Sequence, residues 1–136
     1  MVPVHWIVDG MNVIGSRPDG WWRDRTAAQR RLAERLASFA AADDAAVTVV
    51  FDGRPWSGAP AERRLEVRFA SRRGRDAADD DIAALVAAEP EPAGLRVVTS
   101  DGALARRVRA EGATVEGAGS FLDRLDAVTS GRRGVP

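Results

Sequence analysis

The chain has 136 residues, a formal net charge of zero at pH 7 and no cysteine. This length suffices for one domain with a substantial core, and the lack of cysteine excludes disulfides, thiolate catalysis and cysteine-based zinc sites. With no signal peptide and no apolar run that could span a bilayer, a cytoplasmic protein without membrane contacts is expected. All 20 basic residues are arginine, which excludes any mechanism that needs a lysine.

Apolar strand-like runs alternate with helical patterns along the chain. The predicted elements are strands at 4–10, 46–53, 65–70, 95–102 and 113–117, and helices at 25–40, 76–88, 102–110 and 120–128. This alternation predicts an α/β fold, a three-layer α/β/α sandwich with a mainly parallel central sheet. We expect a single domain over residues 1–128 and a flexible tail at 129–136.

Three predicted strands end in an aspartate followed by glycine, at Asp9, Asp52 and Asp101. Glycine after each aspartate predicts a turn. The carboxyl ends of parallel strands share one edge of a sheet, where ligands bind. Three carboxylates at one edge repel each other unless a cation is present, and oxygen ligands suit Mg²⁺ or Mn²⁺. The pattern therefore predicts a divalent metal site.

The helix predicted at 76–88 offers a fourth acid to this edge. With its apolar residues buried, a turn of about 100° per residue places Asp79 on the flank of the buried face and Asp80 opposite it, in solvent. Asp81 lies on the other flank and Asp76 further round, and acids in a first turn also stabilise the helix through its dipole. Asp79 is therefore the acid expected to lean toward the sheet edge.

Arginine is concentrated between the second predicted strand and this helix. Residues 54–75, RPWSGAPAERRLEVRFASRRGR, hold seven arginines against two glutamates. Because the segment starts after Asp52 and ends before Asp76, we predict that it flanks the acids and binds the phosphates of a nucleic acid, with a solvated surface segment as the alternative. The arginines predicted to bind these phosphates are Arg54, Arg63, Arg64, Arg72, Arg73 and Arg75.

A second and weaker nucleic-acid-binding patch is predicted at Trp22 and Arg23. Exposed aromatic side chains beside arginines can stack on unpaired bases. A tryptophan that seals the end of the sheet is the alternative interpretation of Trp22.

The stretches IVDGMNVIG, VVFDG, GRDAADDDI, VVTSDGALARRVRAEGA and FLDRL together resemble the YacP-like branch of the NYN domains, which are PIN-like ribonucleases. The resemblance covers nearly the whole chain and implies an α/β sandwich whose clustered aspartates bind divalent metal for RNA cleavage. One departure is Arg75, which stands where the family commonly has a glutamate. The positions that match the family's acidic site are Asp9, Asn12, Asp52, Asp79 and Asp101.

The resemblance and the chemistry of the acids together predict a metal-dependent endoribonuclease acting on single-stranded or loop RNA, without a nucleotide cofactor. Metal ions activate water and stabilise charge on the phosphoryl oxygens. The catalytic residues would be Asp9, Asp79, Asp101 and Asn12, with the metal held by Asp9, Asp52, Asp79 and Asp101. The amide of Asn12 would donate to a phosphate or orient a ligand.

Other protein classes fit the sequence less well. A receiver domain relies on a lysine, a haloacid-type phosphatase needs Asp-x-Asp on the first strand, and a dinucleotide-binding fold needs a differently spaced glycine-rich turn. The remaining alternative is an RNA- or ribosome-associated binding module with a weak or inactive nuclease site. The presence of all four acids favours the nuclease. The ribosome or the translation machinery stays open as a binding partner.

Overall fold

The computed structural model describes residues 4–74 and 76–129, so Arg75 and residues 130–136 of the predicted tail lie outside the described residues. Within the described part, five parallel strands form one sheet in the order β3-β2-β1-β4-β5. The strands are β1 (His5–Asp9), β2 (Ala46–Phe51), β3 (Leu65–Phe69), β4 (Leu95–Val98) and β5 (Thr114–Glu116). The helices are α1 (Gly10–Gly15), α2 (Arg25–Asp43), α3 (Ala77–Ala88), α4 (Gly102–Ala110) and α5 (Ala118–Thr129), with 3₁₀ turns at Trp21–Arg23 and Pro92–Gly94.

Helices cover both faces of the sheet, which confirms the predicted three-layer α/β/α sandwich. On one face α1, α2 and α5 bury an aromatic cluster in which the Trp6 ring lies 5.6 Å from Phe39 and 5.3 Å from Phe121. On the other face α3 and α4 bury a second core that includes Ile82 and Leu104. In the described ranges, no helix combines the length and the apolar character needed to cross a bilayer.

The strand order reverses beside β1, and this fixes the position of the acidic edge. β1 pairs with β2 on one side and with β4 on the other, and Val8 lies beside both Val49 and Val98. In open parallel sheets the crevice for ligands forms at such a reversal, outside the carboxyl ends of the strands. Asp9 and the residues that follow Val98 therefore lie next to each other at this crevice.

The turn predicted after Asp9 is wrong, because helix α1 begins directly at Gly10. A Cβ atom at Gly10 would lie 2.4 Å from Phe51 Cδ1 and 3.0 Å from the Val50 carbonyl oxygen, so glycine is needed here for close packing. Gly102 similarly begins a helix, α4. Only Gly53 of the three has a left-handed backbone, with φ of 92°, as the predicted turn requires.

We expect Gly10→Ala to lower the free energy of unfolding by about 1–3 kcal/mol, because the added methyl group overpacks against Phe51. Gly119→Ala is the matched control, since a Cβ atom added at this position of helix α5 would meet no atom within 4 Å. Alanine favours helix over glycine, so this control should gain roughly 0.5–1 kcal/mol. Urea denaturation measures both, and equal stability of the two variants would contradict the packing argument.

Candidate active site at the carboxyl edge of the sheet

Asp9 is the central acid of this edge. Its side chain is buried, with 5% of the residue exposed. The hydroxyl of Thr99 donates to Asp9 Oδ2 at 2.9 Å and accepts from the main-chain N–H of Asp101 at 3.1 Å. Thr99 thus joins the end of β1 to the segment that carries the second acid, and it fixes the spacing between the two.

Asp101 is held by the helix that follows it. Its Oδ1 accepts from the N–H groups of Ala103 at 2.9 Å and Leu104 at 3.1 Å, which makes Asp101 the N-cap of α4. N-caps of this kind satisfy main-chain donors that a helix leaves unpaired. Oδ2 accepts no hydrogen bond from the described part of the chain, so one oxygen of a rigidly placed carboxylate is available for a ligand.

Asn12 stabilises the loop between β4 and α4. Its Oδ1 accepts from the N–H of Ser100 at 2.7 Å, and Ser100 Oγ in turn accepts from the N–H of Ala118 at 2.9 Å. The carbonyl end of the Asn12 amide therefore orients the main chain beside Asp101. The role predicted for Asn12, to orient a ligand or to donate to a phosphate, stays a prediction. Its amide nitrogen bonds to no other described residue and is a potential donor.

The carboxylates of Asp9, Asp79 and Asp101 lie within electrostatic range of one another. Burial raises the pKa of Asp9 to about 6, the Thr99 hydrogen bond opposes this shift, and the charges of Asp79 and Asp101 add to it. Burial, followed by the charge of Asp101, also raises the pKa of Asp79. In residues 4–74 and 76–129, however, no three acidic or histidine side chains are gathered closely enough to form a metal-binding set as they stand.

Asp52 is not brought into this acidic cluster. Its Oδ1 accepts from Arg25 Nη2 at 3.0 Å, and its main-chain oxygen accepts from Gln29 Nε2 at 3.0 Å. Both partners belong to α2, which covers the end of β2 on the face opposite to α3. The carboxylate predicted as a fourth metal ligand is therefore neutralised by an arginine.

Part of the predicted arginine patch does lie at the acidic edge. Arg54, Arg72 and Arg73, together with Asp52 and the glycines that follow β2 and β3, line an open groove of about 350 Å³. Its charge is net positive, which suits the sugar-phosphate backbone of a nucleic acid.

The structure does not place Arg63 and Arg64 at the acidic edge. They precede β3, at the amino end of the sheet, where Arg64 Nε donates to Asp44 at 2.7 Å and Arg64 Nη1 donates to Glu62 at 3.0 Å. The strands of a parallel sheet have their amino ends together, so a residue before β3 is a full strand length from the acids. Arg75 lies outside the described residues.

Trp22 is 53% exposed, so it does not seal the end of the sheet. Its ring meets Trp21 edge-on at 5.9 Å, and the guanidinium of Arg23 lies 6.0 Å from its centroid. Behind it, Arg25 lies over the Trp21 ring at 5.5 Å and pairs with Asp52. These contacts connect the exposed indole to the groove beside the acids.

Asp80 and Arg107 were not identified as site residues from the sequence. Asp80 is not simply solvated as predicted: its Oδ1 accepts from Arg107 Nη1 at 2.9 Å, and its Oδ2 pairs with Arg72. Both arginines lower the pKa of Asp80, and the hydrogen bond from Arg107 is the largest cause. The partners come from α4 and from the loop after β3, and no local spacing in the sequence indicates such a long-range bridge.

Comparisons with known proteins place this chain in a family. The family model described as the YacP-like NYN domain matches residues 6–133. Two similar solved structures are Rae1 (YacP) from Bacillus subtilis and a tryptophan-to-leucine mutant of it. Each is 25% identical to this chain with a TM-score of 0.75; the match covers 93% of this chain and 75% of wild-type or 77% of mutant Rae1. Among curated protein sequences, none matches this chain.

Proposed function

We propose that this chain, which belongs to the YacP-like NYN domain family, is a divalent-metal-dependent ribonuclease. It would cut RNA internally at the carboxyl edge of its sheet. The family and the similar Rae1 structures support a ribonuclease-type fold. The observation that carries the proposal is the position of Asp9 and Asp101, linked through Thr99, at the point where the strand order reverses, with Asp79 close enough to raise the pKa of Asp9. An edge bordered by an open groove can receive a chain without a free end.

Mg²⁺ or Mn²⁺ is the cofactor that this donor set suits. All three candidate ligands, Asp9, Asp79 and Asp101, are carboxylates, which hard cations prefer. Mg²⁺ commonly keeps several waters and takes only one or two protein carboxylates together with substrate phosphate. Such an ion does not need a complete set of protein ligands, so the spacing of the acids in the described residues is compatible with the proposal. When bound, such an ion supplies an activated water and neutralises charge on the phosphate.

The residues of the chain itself would hold the metal and position the substrate. Without metal, burial raises the pKa of Asp9 to about 6, and a bound cation would favour the ionised form of Asp9 as a ligand. Thr99 and the capping of α4 hold Asp9 and Asp101 in fixed orientations. The free amide nitrogen of Asn12 can donate to a phosphate oxygen. Three arginines of the groove would bind the flanking phosphates: Arg54, Arg72 and Arg73.

The proposal is tested with end-labelled single-stranded and hairpin RNAs, incubated with purified protein in Mg²⁺, Mn²⁺ or EDTA beside Asp101→Asn. We expect internal cuts with 5′-phosphate ends that require metal and disappear in the variant. Salt-dependent RNA binding without cleavage by either protein would instead favour the RNA- or ribosome-associated binding module.

Trp22→Ala should weaken binding of single-stranded RNA by roughly fivefold to a hundredfold, as expected for the loss of one base stacked on an aromatic ring. Because Trp22 is largely exposed, the melting temperature should change little. Trp22→Phe is the matched control and should retain much of the affinity. Fluorescence anisotropy with a labelled RNA measures all three, and equal affinity of the alanine variant and wild type would exclude stacking at this position.

A further inference from the structure

Asp80 joins two arginines that come from different parts of the fold. Arg107 belongs to α4, and Arg72 lies in the loop between β3 and α3. One oxygen of the carboxylate bonds to each guanidinium. The side chains of Asp80, Arg72 and Arg107 are 44%, 53% and 49% exposed, so a ligand from solvent can reach all three.

The loop that carries Arg72 does not depend on Asp80 for its position. The neighbouring Asp81 accepts from the N–H of Ser71 at 2.6 Å and from the Ser71 hydroxyl at 2.9 Å. Replacing Asp80 therefore leaves the main chain before Arg72 attached to α3. The contact of Asp80 with Arg72 is a separate, exposed ion pair, and such pairs contribute little to stability.

The charge of this cluster is unbalanced. Two guanidinium groups face one carboxylate, which leaves a net positive charge on this group of three side chains. Carboxylate and phosphodiester groups offer guanidinium a similar pair of oxygens, so a phosphate can take over the contacts that Asp80 makes. Water exposure of the bridge keeps the cost of that exchange low.

The cluster lies between the acidic site and the groove. Arg107 Nη1 donates to Asp80 at 2.9 Å, and Asp80 directly follows Asp79 in α3, so the Arg107 guanidinium lies near the acids. Arg72 at the same time lines the groove that contains Arg54 and Arg73. A phosphate bound between Arg72 and Arg107 would belong to a nucleotide next to the cleaved bond.

We infer that Arg72 and Arg107 form a phosphate-binding site for RNA, and that Asp80 occupies the place of the phosphate in the free protein. The inference rests on the proposed function, since the phosphate is that of the RNA substrate. It assigns specific roles to Asp80 and Arg107, which lie far apart in the sequence. Asp80 then limits RNA affinity, because each binding event must displace it from two arginines.

The test is the affinity of a labelled single-stranded RNA for Asp80→Asn, measured in EDTA over a series of salt concentrations. We expect Asp80→Asn to bind about threefold to tenfold more tightly than wild type at low salt. Arg72→Gln and Arg107→Gln should each bind more weakly, and the slope of log affinity against log salt should become shallower by about 0.7, as for the loss of one phosphate contact to a single strand.

Asp126→Asn is the matched control for the change in net charge. Asp126 also bridges two arginines, Arg17 at 2.8 Å and Arg35 at 2.6 Å, but on the face that α2 and α5 cover. The Asp126→Asn variant should bind RNA with the affinity of wild type. Equal affinity of Asp80→Asn and Asp126→Asn, or unchanged salt slopes in both arginine variants, would overturn the inference.

The outcomes separate this inference from the proposed nuclease activity. If Asp80→Asn binds more tightly and both arginine variants bind more weakly while wild type cuts no RNA, the phosphate site stands and the nuclease assignment fails. If wild type cuts RNA but Asp80→Asn behaves like the control, only the phosphate site fails. A wild-type protein that binds no RNA in EDTA overturns the phosphate site, and one that also cuts no RNA with metal present overturns both.

Discussion

Asp9→Asn should reduce RNA cleavage by at least about a thousandfold, because it removes the carboxylate at the centre of the proposed metal site. Asparagine has the same shape, and its amide oxygen can still accept from Thr99, so the fold around it is expected to persist. Single-turnover cleavage under saturating protein gives the rate of the chemical step. Asp126→Asn, with the same chemical change on another face, should keep the wild-type rate. Residual activity within tenfold of wild type would exclude a central role for Asp9.

The same Asp9→Asn variant should be more stable than wild type when no metal is present. The folded-state pKa of Asp9 is raised from 3.8 to about 6 by burial and by neighbouring acids, so ionised Asp9 destabilises the fold. A difference of one in pKa between the folded and unfolded states corresponds to about 1.4 kcal/mol. Allowing for relaxation of the structure around ionised Asp9, we expect the free energy of unfolding of the variant to be roughly 1–3 kcal/mol higher at pH 8. Many functional sites show this opposition between activity and stability.

The pH dependence of this gain has a defined sign. Because the folded state binds the Asp9 proton more tightly than the unfolded chain, the contribution of Asp9 to wild-type stability falls as the pH rises from about 4 to about 6. Asparagine does not titrate, so the difference between the two proteins should be near zero below pH 4, grow up to pH 6 and stay constant above it. Denaturant unfolding in EDTA across this range measures the difference. A variant less stable than wild type at pH 8 would contradict the pKa assignment.

The architecture was predictable from the sequence because it depends on regular, local patterns. Buried parallel strands give nearly continuous apolar runs such as Ala46–Phe51, and helices between them give apolar residues at helical spacing. Helix α1 was missed because it has only six residues. The close approach of Gly10 to Phe51, which requires a glycine at the start of this helix, brings together the ends of two strands that are far apart in the sequence. In the sequence, an Asp-Gly pair looks the same whether the glycine forms a turn or allows close packing.

The candidate site was predictable only where a side chain's position follows from its own element. Asp9 is fixed by the end of β1, Asp101 by the short loop between the adjacent strand β4 and helix α4, and Asp79 by the phase of its helix. Asp52 is fixed by the same rule, but its charge is taken up by Arg25, which lies 27 residues earlier. Ion pairs between exposed side chains of distant elements follow from tertiary packing, and the sequence carries no local pattern for them.

Direct titration of the metal-free protein with Mn²⁺, with free Mn²⁺ followed by electron paramagnetic resonance at pH 8, tests the central claim that the three acids form a divalent cation site. We expect saturable binding to wild type and to Asp126→Asn, and its loss in Asp9→Asn and Asp79→Asn. Binding that is absent from wild type, or equally strong in all four proteins, would contradict the claim.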